Sequence, residues 1–142
     1  MRAVLDTNVL VSATLVRGGN EDRILRAWKR EAFELVLSRP ILQEFSRALF
    51  YEKFRQRRWM SEQEIRLLLE LIAAEGVLVP GKIAVKASRD PHDDKFLAAA
   101  LEAEARYVVS GDKDLLAIGA YRGIEIVSPA RFLKILREAE TG

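Results

Sequence analysis

Apolar residues recur along this chain with two different periods. Ala3-Val4-Leu5, Leu35-Val36-Leu37, Val77-Leu78-Val79, Tyr107-Val108-Val109 and Ile124-Glu125-Ile126-Val127 are short runs rich in β-branched or large apolar side chains, and they predict buried strands. Between them the spacing becomes helical. In 21–33, Ile24, Leu25, Trp28 and Ala32 share one stripe behind Asn20, a predicted N-cap. Residues 40–54 open on Pro40 and carry Ile41, Phe45, Ala48 and Leu49 on one side. Ser61-Glu62-Gln63-Glu64 forms a capping box ahead of Ile65, Leu68, Leu69 and Ile72, and Gly76 stops that helix. Two further helices are predicted from about Pro91 to Ala105 and from Pro129 to about Glu138, capped by Asp90 and Ser128, while Asp6 suits the cap of a helix from Thr7 to Leu15.

Strands that alternate with helices and are nearly continuous in apolar residues predict an α/β fold. The expected form is a three-layer α/β/α arrangement around a central, mainly parallel sheet of about five strands. At 142 residues the chain suits one domain, 1–142, without a linker or internal repeat. Ligands of such sheets bind outside the carboxyl ends of the strands.

Composition narrows the chemistry. Cysteine is absent and histidine occurs once, which excludes thiolate nucleophiles, Cys-ligated metals and two-histidine acid–base cleavage of RNA. Carboxylates must therefore run most of any reaction. A formal charge of +2 permits nucleic-acid binding without demanding it. No uncharged apolar run approaches the ~18 residues of a membrane span, and Asp6 interrupts the uncharged core that a signal peptide requires, so a soluble, cytoplasmic protein is expected.

The aspartates are unevenly spread. Five of the seven, Asp90, Asp93, Asp94, Asp112 and Asp114, fall within residues 90–114, and Asp6 ends the first strand. In a parallel sheet, Asp6 and Asp112 stand on the same carboxyl edge. Asp94 has Leu97, Ala98 and Leu101 three, four and seven positions on, so its carboxylate lies on a core-facing stripe with no Lys or Arg. A metal ion is the compensation expected there, and Asp94→Asn is expected to fold as well or better. Glu44 sits similarly beside Ile41, Phe45 and Ala48. Each acid also has an ordinary structural use: Asp90 and Asp6 as helix caps, Asp93 and Asp94 at the positive end of a helix, Asp112 and Asp114 in a turn.

Asp6-Thr7-Asn8 after the first strand, Glu44 in a mid-chain helix, Asp93-Asp94-Lys95-Phe96-Leu97-Ala98-Ala99-Ala100 and Val108-Val109-Ser110-Gly111-Asp112-Lys113-Asp114-Leu115-Leu116 together resemble the PIN-domain nucleases, in order and over essentially the whole chain. The resemblance is closest to the VapC-like toxin ribonucleases of type II toxin–antitoxin modules. It implies a metal-dependent endoribonuclease using Mg²⁺ or Mn²⁺, with cleavage leaving a 5′-phosphate and a 3′-hydroxyl. It implies Asp6, Glu44, Asp94 and Asp112 as the catalytic, metal-binding acids, with Asp114 and Asp93 as alternates and Asn8 and Ser110 as supporting polar residues. An RNA substrate, a cognate antitoxin and a homodimer or higher homo-oligomer are implied as partners. The chemistry is coherent by itself, because hard divalent cations prefer oxygen ligands and two ions can clamp a scissile phosphate.

Positive charge for an RNA backbone is densest at Lys53, Arg55, Arg57 and Arg58 around Phe54 and Trp59, with Lys95 and Lys113 beside the acids. The alternative for that run is a solvated helix end with Phe54 and Trp59 turned inward. Gly76-Val77-Leu78-Val79-Pro80-Gly81-Lys82-Ile83 imitates a phosphate-binding loop but lacks the Ser or Thr that reaches Mg²⁺. His92 reads as a surface residue at a helix start. Competing functions are an RNA-processing nuclease that is not a toxin, a Mg²⁺-dependent phosphatase or receiver-like domain, and a non-catalytic module that binds RNA or protein. Haloacid-type phosphatases need Asp where Asn8 stands, and Ser38-Arg39 occupies the place of a receiver's phosphorylated Asp.

Overall fold

A computed structural model describes residues 1–55 and 60–141. Arg57, Arg58 and Trp59 lie outside the described residues. In chain order the elements are β1 (Arg2–Leu5), α1 (Thr7–Leu15), α2 (Asn20–Lys29), β2 (Glu34–Ser38), α3 (Arg39–Arg55), α4 (Glu62–Glu75), β3 (Val77–Val79), a 3₁₀ turn (Pro91–Asp93), α5 (Asp94–Glu102), β4 (Tyr107–Val109), α6 (Lys113–Ile118), β5 (Ala120–Tyr121), β6 (Ile124–Val127) and α7 (Pro129–Thr141). They form an α/β fold whose sheet runs β3-β2-β1-β4-β6-β5, every neighbouring pair parallel except β5 with β6.

The inner strands are apolar throughout because helices cover them. Ala3, Val4, Leu5, Leu35, Val36, Leu37, Val108 and Val109 are essentially without solvent exposure. Helix α5 crosses β1, β2, β4 and β6 and buries Phe96, Leu97, Ala99 and Ala100. Helix α7 brings Phe132 edge-on to Phe33, with ring centroids 5.1 Å apart. The capping box is present as read: Ser61 Oγ accepts from Glu64 N at 3.1 Å, and Glu64 Oε1 accepts from Ser61 N at 3.1 Å.

The sheet has six strands rather than about five. The added strand, β5, is two residues long and returns to β6 through Arg122 and Gly123, both at positive φ, as a two-residue hairpin turn requires. The helix expected over 21–33 ends at Lys29, where the chain turns through Glu31 at φ 65°, and Gly19 rather than Asn20 holds its N-cap position. The helix expected from Pro91 to Ala105 divides into the 3₁₀ turn and α5, and Asp112 and Asp114, which also suit a turn, cap and open the helix α6.

Helix α4 ends hard against β2. A Cβ on Gly76 would lie 2.7 Å from Leu37 Cδ1 and 2.9 Å from the Ile72 carbonyl oxygen. Gly76→Ala is expected to destabilise the fold by about 1–3 kcal/mol through this overpacking, read as a lower urea midpoint.

Candidate active site

Strands β1 and β4 are neighbours at the centre of the sheet, but the chain leaves β1 toward β2 on one side and continues from β4 toward β6 on the other. A crevice opens at the carboxyl ends where such a sheet reverses its order. Asp6 follows β1 directly, and its backbone N–H donates to the Val109 carbonyl at 3.0 Å, so the two strand ends are tied side by side. Asp112 follows β4 after Ser110 and Gly111.

Asp6 is buried, and its carboxylate is fixed from two directions. One oxygen accepts the Val9 N–H at 3.0 Å as the N-cap of α1; the other accepts the Ser110 hydroxyl. Burial pushes the Asp6 carboxyl above its ordinary pKa and the negative charge of Asp112 adds to this, while the bonds from Ser110, Val9 and the Asn8 backbone work against it. Ser110 Oγ also accepts the Asp112 N–H at 2.9 Å, and Asp112 Oδ2 accepts from Leu115 N at 3.1 Å as the cap of α6. One hydroxyl thereby sets the spacing of two acids.

The third acid at this edge is Asp93. Burial, the charge of Asp112, a hydrogen bond to Asp112 that needs the Asp93 proton, and the charges of Asp90 and Asp6 raise its pKa from 3.8 to about 6. Asp90 accepts the His92 N–H at 3.0 Å and starts the 3₁₀ turn that delivers Asp93.

Asp94, the next residue, is held from the preceding segment. It is buried as its position on the apolar stripe requires, but its Oδ1 accepts the backbone N–H groups of Ser88 at 2.8 Å and Ala87 at 3.2 Å. Two amide dipoles from the preceding segment thus compensate Oδ1 of the buried carboxylate, a contribution that the apolar stripe by itself does not reveal. Asp114 is exposed on the first turn of α6.

Glu44 stands beside the cluster. Burial pushes its carboxyl up, but the hydrogen bond from Lys95, the nearby Thr7 hydroxyl and the charges of Lys95 and His92 outweigh this and hold it below its usual range. The Lys95 ammonium pairs with Glu44 Oε2, so Lys95 is committed to an acid. Thr7 escaped sequence reading. Its hydroxyl is buried beside Glu44, near enough to lower that carboxyl's pKa but outside hydrogen-bond geometry, and only the folded register reveals it. Asn8 and Lys113 are exposed and line, with Gly111 and Asp112, a cleft of about 470 Å³ beside the acids. His92 is exposed. In the phosphate-loop imitation, the Gly81 and Lys82 N–H groups are taken by the Glu102 carboxylate at 2.9 and 3.2 Å.

The donor set fits a hard divalent cation. Asp6, Asp93 and Asp112 offer only oxygen atoms and repel one another, and the nearby ammonium is spent on Glu44. Among the described residues no group of three or more acids or histidines stands close enough to hold a metal ion by itself. Mg²⁺ does not need one, since it commonly takes one or two carboxylates and fills its shell with water and substrate phosphate.

The sequence profile described as PIN domain matches residues 2–114. A protein of Methanocaldococcus jannaschii, "Uncharacterized protein MJ1680", is 29% identical over 118 residues, covering 83% of this chain and 75% of its own. Among solved structures, a chain of "VapBC2 from Rickettsia felis bound to a DNA fragment from their promoter" superposes with a TM-score of 0.59 at 11% identity, covering 90% of this chain and 98% of that one. At that identity the likeness is one of fold.

Adjacent aspartates should respond oppositely to mutation in chelator. Asp93 has a folded pKa above its unfolded value, so its contribution to stability falls as pH rises from about 4 through about 6. Asp93→Asn should therefore be more stable than wild type at pH 7.5, with the gap closing by pH 4. Asp94→Ala, which strips acceptors from Ala87 and Ser88, should lose about 2 kcal/mol at pH 7.5. Urea titrations at several pH values read both.

Proposed function

The chain belongs to the PIN domain family, and from that premise we propose that it is a Mg²⁺- or Mn²⁺-dependent endoribonuclease acting on single-stranded RNA. The observation that carries this reading is the placement of Asp6 and Asp112, tied through Ser110, at the point where the sheet reverses order, with Asp93 coupled to both by charge. On this reading Asp93, the alternate acid of the sequence reading, joins Asp6 and Asp112, and Glu44 with Lys95 forms the flank.

Asp6, Asp93 and Asp112 would hold the cation, which when bound supplies positive charge to the phosphate and makes water nucleophilic near neutral pH. The chain's own groups set the geometry. Ser110 keeps Asp6 and Asp112 at a fixed separation, and the α1 and α6 N-termini fix the rotation of each carboxylate. Lys95 neutralises Glu44, so the flank adds little negative charge against an incoming phosphate. Lys113, exposed on the cleft, offers a cation to a neighbouring phosphate. In the hydrolysis, a water oxygen bonds to phosphorus, the P–O3′ bond breaks and the 3′ oxygen takes a proton, giving a 3′-hydroxyl and a 5′-phosphate.

On the same reading the protein is a cytoplasmic toxin of a type II toxin–antitoxin module, restrained by a cognate antitoxin and assembled as a homodimer or higher homo-oligomer. Its fold likeness to a chain of VapBC2 supports this.

Labelled single-stranded RNA should be cut with Mg²⁺ or Mn²⁺ and left intact in chelator. Asp6→Ala and Asp112→Ala should each reduce the rate at least about a hundredfold, because a catalytic cation is worth several kcal/mol of transition-state stabilisation. Asp93→Asn should do the same. Undiminished cleavage by Asp6→Ala or Asp112→Ala would contradict the proposal.

A further inference from the structure

Among the described residues, the aromatic side chains that stand in solvent are Tyr51, 62% exposed, and Phe54, 87% exposed, both on α3. This differs from the inward placement considered for Phe54. An apolar ring left in water on a well-formed helix is unusual where the same helix buries Ile41, Phe45 and Leu49 on its other side.

Their register links them to the active site. At 100° per residue, Glu44, Arg47, Tyr51, Phe54 and Arg55 fall within one face of α3, and all but half-buried Glu44 are exposed. The face starts at the flank of the acid cluster and runs ~15 Å along the helix to Phe54. Tyr51 and Phe54 are offset by ~4.5 Å along the axis, near the ~3.4 Å spacing of stacked nucleotides in one strand. Arginines stand on both sides of the rings. Arg55 is exposed and meets half-buried Glu52 at 3.6 Å, a long ion pair that leaves its guanidinium open to a phosphate.

We propose that this face of α3 is the track for the single-stranded RNA flanking the scissile phosphate, with bases stacked on Tyr51 and Phe54 and phosphates held by Arg47 and Arg55. The inference rests on the ribonuclease reading and deepens it, because aromatic platforms interleaved with basic residues take unpaired bases and leave a duplex unread. A protein partner is the lesser fit: Gln43, Arg47 and Arg55 break the rings out of any contiguous apolar patch, and interface cores are depleted of charge.

The test uses single-stranded RNA oligonucleotides carrying 2-aminopurine at successive positions, with wild type, Tyr51→Ala, Phe54→Ala and Tyr51→Phe in chelator, so that binding is read without cleavage. Wild type should quench the probe at positions a few nucleotides from the cut site. Each alanine variant should bind about tenfold more weakly with the quench lost, as base–aromatic stacking requires. Tyr51→Phe should restore it, and all variants should keep the wild-type melting temperature because both side chains lie outside the core. Variants that bind and quench like wild type overturn the track, the more so if light scattering shows a reduced oligomer, which assigns the face to protein contact. Wild type that neither binds nor cuts the RNA overturns the ribonuclease reading together with it.

Discussion

Asp6 and Asp112 stand side by side at the carboxyl edge of the central strands with Asp93 coupled to both by charge, and the surrounding elements are arranged to tolerate this mutual repulsion. Asp6 carries most of the burden because it is buried at the end of β1, where an anion loses much of its hydration. The compensation comes from oriented N–H and O–H groups: Val9 from the first turn of α1 and Ser110 from the end of β4. Asp112 is secured in the same way by α6. Being a helix cap and being a metal ligand are usually alternative explanations of an aspartate. Here they are compatible, since capping consumes one direction of the carboxylate and fixes where the other points.

Adjacent acids divide the remaining work. Asp93 is coupled by charge to Asp112 and Asp6, whereas Asp94 accepts the backbone N–H groups of Ala87 and Ser88. Glu102, at the far end of α5, holds Gly81 and Lys82. Helix α5 thus grips the irregular segment 80–90 by an acid at each end, giving a stretch without its own ladder a defined path into the Asp90–Asp93 turn that presents the third acid. The lysine that follows, Lys95, pairs with Glu44 from another layer and draws α3 to the same edge.

Much of this was legible in the chain. Five strands, the capping box at Ser61 and the placement of Asp6 and Asp112 on one edge follow from periodicity, side-chain capping and the geometry of parallel sheets. Periodicity also assigned Asp94 correctly to a buried stripe. Its partner was invisible because the amides of Ala87 and Ser88 belong to a segment with no repeating pattern, and backbone donors leave no trace in residue identity. For the same reason the 3₁₀ turn that carries Asp93 merges with α5 in the sequence pattern. Strand β5 is too short to carry a period, and the contact of Thr7 with Glu44 depends on the packing of α1 against α3.

The account stands on the cation being held by Asp6, Asp93 and Asp112 rather than by a set that includes Asp94. Crystals soaked in Mn²⁺ and measured at a wavelength where manganese scatters anomalously give the position of the ion directly. The account predicts an anomalous peak bounded by oxygens of Asp6, Asp93 and Asp112, with Asp94 still on the amides of Ala87 and Ser88. A peak coordinated by Asp94, with Asp93 turned to solvent, would contradict it.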